Sequence, residues 1–268
     1  MSFAIQGKTA VVTGAANGVG LAIARHFADK GANVVFADMD EKRLSDELGE
    51  TGDEDNVRMF AGDLRQKLTI ANLLSATLDA FERVDVLVNG SRQMLAADPL
   101  NQDDDAVKAL LDQNLMTSLR LSQLFARRMI KQAQVEGKEE GPVGSIINLS
   151  SIAAQRTHPK LLAYSVSSAA VDQLTRSMAV ALAPERIRVN AVSFGSVMSA
   201  SLQGALKEDS DIREQIIDHT PLSRIASAGE LAEVAQFLAS DGSGFMTGQI
   251  LTVDGGRTLI DAVDSPAH

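Results

Sequence analysis

Short apolar, β-branched runs recur along the chain with longer amphipathic stretches between them. The runs TAVVTG (9–14), NVVFAD (33–38), VRMFAGD (57–63), VDVLVNG (84–90), GSIINLSS (144–151), IRVNAVSFG (187–195) and QILTVDGG (249–256) read as strands. Most lack strict polar–apolar alternation, so they are expected to be buried on both faces, as in a parallel sheet covered by helices on each side. Helices are predicted over 18–30, 41–49, 67–82, 103–132, 161–183 and 229–240. The charged, glycine-containing stretch 134–144 is a loop, because the strand rhythm resumes directly after it. With no internal repeat, the alternation of strand and helix predicts a single α/β domain over residues 1–268, a doubly wound seven-stranded parallel sheet with helices on both faces.

Composition narrows the partners. A net charge of -10 disfavours nucleic acid and anionic membrane surfaces, since no dense basic stretch offsets it. The absence of cysteine removes disulfides, thiolate metal ligands and thiol nucleophiles, and fits a reducing, cytoplasmic setting. His26, His158, His219 and His268 lack ligand spacing, so no metal is expected. The N-terminus enters a strand without the charged and apolar regions of a signal peptide, and no run is long enough to span a membrane.

The clearest chemical signal is TGAANGVG, where a strand ends at Gly14 and a helix opens around Gly18 and Gly20. Glycines there let the backbone turn and approach a pyrophosphate, which the free amides and dipole of a helix N-terminus attract. The backbone from Asn17 through Gly18, Val19 and Gly20 is the candidate phosphate cradle. Asp38, 24 residues after Gly14 at the tip of the second strand, can bond both adenosine ribose hydroxyls and repel a 2′-phosphate, which favours NAD(H) over NADP(H). Asp38 can also cap the following helix, and both roles are compatible. Met39 and Leu64 adjoin the adenosine position. Asp63 can meet the adenine edge or serve a turn.

The glycine spacing T-G-x-x-x-G-x-G occurs with GDL, VLVNG, the Asn of DQNLMTS, IINLSS, the Tyr of AYSVSSAA, IRVNAVSFG and TGQILTVDGG, in order, from about residue 5 to residue 256. In these motifs the chain resembles the short-chain dehydrogenase/reductase family of the single-domain type. The resemblance implies a Rossmann-type sheet, a nicotinamide cofactor, and interconversion of a hydroxyl and a carbonyl group on a small organic substrate. It also implies a homotetramer or homodimer built from the helices 103–132 and 161–183 and the last strand. The family's catalytic Asn, Ser and Tyr map onto Asn114, Ser151 and Tyr164, the only tyrosine in the chain. Tyr164 would exchange the proton of the carbonyl/alcohol pair, Ser151 would hydrogen-bond the same oxygen, and Asn114 would order a water. Caps and interface packing are the structural alternatives for these three. Asn89, Gly195 and Val197 fall on cofactor-contact positions of the family pattern.

Three positions depart from that pattern. The family lysine one turn after the tyrosine is Ser168, which supplies no charge. A phenol with the ordinary pKa of about 10 is ionised in roughly one molecule per thousand at pH 7, about 4 kcal/mol against base catalysis. Carbonyl reduction, which uses the protonated phenol, should suffer less than alcohol oxidation. Lys160 precedes the helix and is a weak substitute. Arg92 stands where a glycine lets the ribose approach, and Phe194 replaces the proline that shapes the nicotinamide pocket. All three fall on the nicotinamide half. The adenosine half is intact, so two readings stay open: an NAD(H)-dependent oxidoreductase with impaired or altered catalysis, or a nucleotide-binding protein of the same fold with a regulatory or structural role. The segment 196–228 is expected to form a mobile flap over the substrate. Val197, Met198, Leu202 and Leu206 would give it an apolar lining, or simply pack a helix.

Overall fold

Seven apolar runs pair side by side because their β-branched residues suit a pleated surface that is covered on both faces. The computed structural model of the chain describes residues 3–49, 55–198, 202, 204, 206 and 211–261. Strands β1 (Thr9–Thr13), β2 (Asn33–Asp38), β3 (Val57–Ala61), β4 (Val86–Asn89), β5 (Gly144–Ser151), β6 (Ile187–Phe194) and β7 (Ile250–Val253) form a parallel sheet in the order β3-β2-β1-β4-β5-β6-β7. The helices are α1 (Gly18–Asp29), α2 (Glu41–Leu48), α3 (Lys67–Phe81), α4 (Ala106–Leu110), α5 (Thr117–Val135), α6 (Leu162–Leu182), α7 (Asp211–Asp218) and α8 (Ala228–Ala239). This is the predicted Rossmann-type α/β fold. The strand order reverses between β1 and β4, and a crevice opens beyond the carboxyl ends of the strands at that point.

One face of the sheet packs Ala10, Val12, Val88 and Ile147 against Ile23 and Phe27 of α1, Leu44 of α2 and Leu231 and Leu238 of α8. The other packs Val11, Leu87, Ile146 and Val189 against Leu73 of α3, Phe125 and Met129 of α5 and Ala179 of α6. Phe27 and Phe125 are fully buried, and each such burial is worth about 1.5–3 kcal/mol over exposure. Two-sided burial fails at the sheet edges. Arg58, Met59 and Ala61 on β3 and Thr252 on β7 are exposed, since these two strands end the sheet among the described residues.

Several elements are shorter than predicted, for local reasons. β3 ends at Ala61 with a last ladder bond to β2, from the Gly62 amide to the Asp38 carbonyl at 2.8 Å. β4 is trimmed at both ends: the Val84 amide donates to Gln132 Oε1 at 3.0 Å, and the Gly90 amide to Thr13 Oγ1 at 3.0 Å. After β7 the Asp254 carboxylate accepts the amides of Gly256 and Thr258, turning the chain through two glycines of positive φ. The helix expected at 103–132 starts at Ala106, whose amide is capped by Asp104 Oδ1 at 2.8 Å, and it is interrupted by a π-helical turn over Leu111–Met116. Two backbone hydrogen bonds hold the Asp104 carboxyl below its usual pKa, the first from Asp98 and the second from Ala106. Within the segment read as a flap, α7 is a helix that the strand-and-helix rhythm did not predict. Residues 199–201, 203, 205 and 207–210 of that segment lie outside the described residues.

Candidate functional site

Close backbone packing shapes the nucleotide end. Gly14 has φ 70, and a Cβ there would stand 2.4 Å from the Gly90 carbonyl oxygen; one on Gly20 would stand 2.1 Å from the Gly14 oxygen. Gly18 also has positive φ, 56. The first amide to close a bond into α1 is that of Leu21, onto Asn17 O at 3.2 Å, and the Asn17 side chain makes no cap bond. The amides of Gly18, Val19 and Gly20 therefore point past the helix end, the arrangement that receives an anion. Thr13 Oγ1 accepts the amides of Gly90 and Ser91 and donates to Val88 O, locking the tips of β1 and β4 together. A turn whose backbone packs this closely, with the first amides of the following helix facing outward, fits the pyrophosphate of a dinucleotide.

Asp38 braces the same loop. Its Oδ2 accepts the Ala16 amide at 3.1 Å, while Oδ1 accepts Met39 N at 2.7 Å and Asp40 N at 3.2 Å. The cap of α2 is the neighbouring Asp40, whose Oδ1 accepts Arg43 N at 3.0 Å. Met39 is exposed beside Asp38, and Leu64 is buried. Asp63 sits in a two-pronged ion pair, accepting Arg65 Nε at 2.9 Å and Arg65 Nη2 at 2.9 Å. Hydrogen bonding to the Arg65 guanidinium keeps the Asp63 carboxyl below its usual pKa. Asn89 donates to Asn148 Oδ1 at 2.8 Å and Ser122 Oγ at 3.1 Å, and Asn148 donates on to Thr175 Oγ1 at 2.8 Å. The buried Oδ1 of Asn89 has no partner among the described residues.

At the chemical end, Ser151 and Tyr164 line one cleft of about 520 Å³ together with Phe194, Gly195 and Val197. Strand pairing accounts for part of this, since Ser151 on β5 lies directly opposite Phe194 on β6. Ser151 and Tyr164 are each 7% exposed, so both are shielded yet reachable. Ser151 Oγ accepts the Ala153 amide at 3.2 Å, which leaves its proton free to donate into the cleft. Asn114 does not line the cleft. Seated in the π-helical turn, it clamps the backbone of Gln93, accepting its amide at 2.8 Å and donating to its carbonyl at 3.0 Å, and it donates to Ser167 Oγ at 3.1 Å. Ser167 in turn donates to Tyr164 O at 3.1 Å.

Ser168 is buried on α6 one turn beyond Tyr164, and the exposed Lys160 stays out of the cleft. The cation beside Tyr164 is Arg92. Its guanidinium lies 5.8 Å from the Tyr164 ring centroid and 4.3 Å from that of Phe194, and its Nη1 donates to Ser150 O at 2.7 Å. Sequence reasoning singled out Arg92 and Phe194 separately and missed that they stack. It also missed Arg156, His158 and Arg257, which line the same cleft. Arg156 and Arg257 stand 101 positions apart, and no short motif joins them. Of the flap residues, Val197 and Leu202 reach the cleft and Met198 does not.

No helix among the described residues is long and apolar enough to cross a membrane. A family model described as enoyl-(acyl carrier protein) reductase matches residues 14–258. A 3-oxoacyl-(acyl-carrier-protein) reductase of Thermotoga maritima is 32% identical over 259 residues, 95% of this chain and 99% of that protein. The 7alpha-hydroxysteroid dehydrogenase of Escherichia coli strain K12 is 30% identical over 94% of each chain. Among solved structures, a gluconate 5-dehydrogenase from Burkholderia cenocepacia J2315 in complex with NADP and tartrate superposes with a TM-score of 0.85 at 29% identity, covering 97% of this chain and 98% of that one. A short-chain type dehydrogenase/reductase from Mycobacterium marinum gives 0.83 at 28% identity, with the same coverage.

Proposed function

The chain belongs to the short-chain dehydrogenase/reductase family, a family of oxidoreductases that bind a nicotinamide cofactor, and from that premise we propose an NAD(H)-dependent enzyme, one domain across the chain, that interconverts a hydroxyl and a carbonyl group on a small organic substrate. The observation that carries the proposal is the meeting of Ser151 and Tyr164 in one cleft at the carboxyl end of a sheet whose β1–α1 turn forms an anion cradle. The backbone around Gly14, Asn17, Gly18, Val19 and Gly20 would hold the pyrophosphate. Asp38 and Met39 would meet the adenosine ribose, Asp63 and Leu64 the adenine side, and Asn89, Gly195 and Val197 the nicotinamide side. A carboxylate at position 38 opposes a 2′-phosphate, which supports NAD(H) over NADP(H).

The bound cofactor supplies or accepts the hydride. Ser151 donates a hydrogen bond to the substrate oxygen, and the Tyr164 hydroxyl gives that oxygen its proton in reduction or takes it in oxidation. Asn114 is a positioning residue, acting through Gln93 and through Ser167 on the backbone of Tyr164. With Ser168 where the family carries an ammonium, reduction is the better-supported direction. The reducing cytoplasm suits a chain without cysteine. Exposed Val166 and Val180 on α6, Phe245 and the uncovered edge of β7 support assembly as a homotetramer or homodimer.

The test is turnover of carbonyl substrates with NADH by the parent, Tyr164→Phe and Ser168→Lys. Loss of about 10²–10⁴-fold in Tyr164→Phe is expected; a parent rate untouched by that change would remove the mechanism. The stacking of Arg92 on Phe194 in the nicotinamide half favours the second reading, a nucleotide-binding protein without hydride transfer. An inert parent that Ser168→Lys awakens would select that reading.

A further inference from the structure

The cleft above Ser151 carries more positive charge than this chemistry uses. Arg92, Arg156 and Arg257 all line it, and no aspartate or glutamate lines it among the described residues. In a chain with 35 acidic and 25 basic side chains, a cleft wall of the opposite sign to the whole molecule focuses anions toward the reacting groups.

The three guanidinium groups are fixed by neutral acceptors. Arg92 Nη1 donates to Ser150 O at 2.7 Å, Arg257 Nη1 to Ser196 Oγ at 2.6 Å, and Arg156 Nη2 to Thr258 O. None forms an ion pair with a carboxylate among the described residues, whereas Arg25, Arg65, Arg83 and Arg224 each do. Thr258 directly follows Arg257, so its bond with Arg156 brings together segments that carry like charges. Each guanidinium has five N–H donors and spends one on these anchors, so Arg156 and Arg257 keep donors for bidentate recognition. His158 lines the same cleft. Its Nδ1 accepts the Lys160 amide at 3.2 Å, which puts the ring proton of the neutral form on Nε2 as a further donor.

We infer that the substrate bears an anionic group, a carboxylate or a phosphate ester, seated against Arg156 and Arg257 while its carbonyl or hydroxyl carbon lies at Ser151 and Tyr164. This rests on the reading of the cleft as the substrate site. Arg92, held on Phe194, lines the same cleft, and its volume of about 520 Å³ suits a small organic acid or phosphorylated metabolite rather than a long acyl chain.

The experiment is calorimetric titration of the full chain with malonate and with inorganic phosphate, using malonamide as the uncharged analogue of malonate. The parent and an Arg156→Gln/Arg257→Gln variant are compared, with thermal melting to verify folding. Saturable binding of at least one anion is expected, weakened about tenfold or more in the variant, with no binding of malonamide; which anion binds more tightly distinguishes carboxylate from phosphate. Binding of neither anion, equal binding by the variant, or malonamide binding as well as malonate would overturn the inference. NADH is titrated into the parent alongside. A chain that binds NADH but no anion loses this inference and keeps the proposed function, whereas one that binds the anion but not NADH does the reverse.

Discussion

Gly20→Ala puts the proposed cofactor cradle to a steric test. The added methyl would lie 2.1 Å from the Gly14 carbonyl oxygen and 2.8 Å from its carbon. Unbonded carbon and oxygen rest at about 3.3–3.6 Å, so the turn must open by roughly 1 Å. Gly14 has little room to give, since its own Cβ position is already 2.4 Å from Gly90 O, across the junction that Thr13 locks. Overpacking of this kind costs about 1–3 kcal/mol. The displacement also pulls apart the amides meant for the pyrophosphate, and losing about 1.4–2.8 kcal/mol of those bonds weakens NADH binding roughly 10- to 100-fold. Urea denaturation and NADH calorimetry read the two effects separately. Gly229→Ala is the control: in the first turn of α8 its nearest neighbour would be Ser227 Oγ at 3.8 Å, so stability should hold or rise by up to about 1 kcal/mol. Parental stability and parental NADH affinity in Gly20→Ala would refute the reasoning.

Other consequences can be measured in the same preparations. Asp38→Ser should weaken NADH and strengthen NADPH, shifting their affinity ratio by about tenfold or more in calorimetry; an unchanged ratio would remove Asp38 from cofactor choice. Asn148→Ala removes one of the two acceptors of the buried Asn89 amide and the donor to the Thr175 hydroxyl, and should cost about 2–3 kcal/mol in urea unfolding. Burial raises the pKa of the Asp172 carboxyl on α6, and its Oδ1 has no partner among the described residues. The folded state therefore binds this proton more tightly than the unfolded chain, and stability falls as pH rises from the ordinary carboxylate range through the raised value. Asp172→Asn should increase Tm at pH 7, with the gain shrinking toward pH 4; a gain independent of pH would show that no proton is involved.

Much of the fold was legible because periodicity and punctuation agreed. All seven strands lie within the runs read from their apolar continuity, and α1 opens at Gly18, where the glycine loop predicts. What escaped depended on tertiary partners. The π-helical turn at Leu111–Met116 accompanies the clamp of Asn114 on Gln93, a contact between segments 21 residues apart. Side chains decided strand ends: Gln132 takes the Val84 amide, and Thr13 takes that of Gly90. The same divide runs through the site. Gly14, Gly18, Gly20 and Asp38 announce themselves by spacing along one βαβ unit, and Ser151 and Tyr164 by a spacing of only thirteen positions. Arg156 and Arg257 follow different strands, and only the sheet order that places β5, β6 and β7 side by side brings them to one cleft.

Calorimetric titration of the purified full chain with NADH, and with NADPH in parallel, tests the central claim most directly. The account predicts saturable NADH binding that is tighter than that of NADPH, because the Asp38 carboxylate beside the glycine turn would repel a 2′-phosphate. Absence of binding by either nucleotide would contradict it, leaving Arg92 and Phe194 as the closure of a cleft that no longer takes a cofactor.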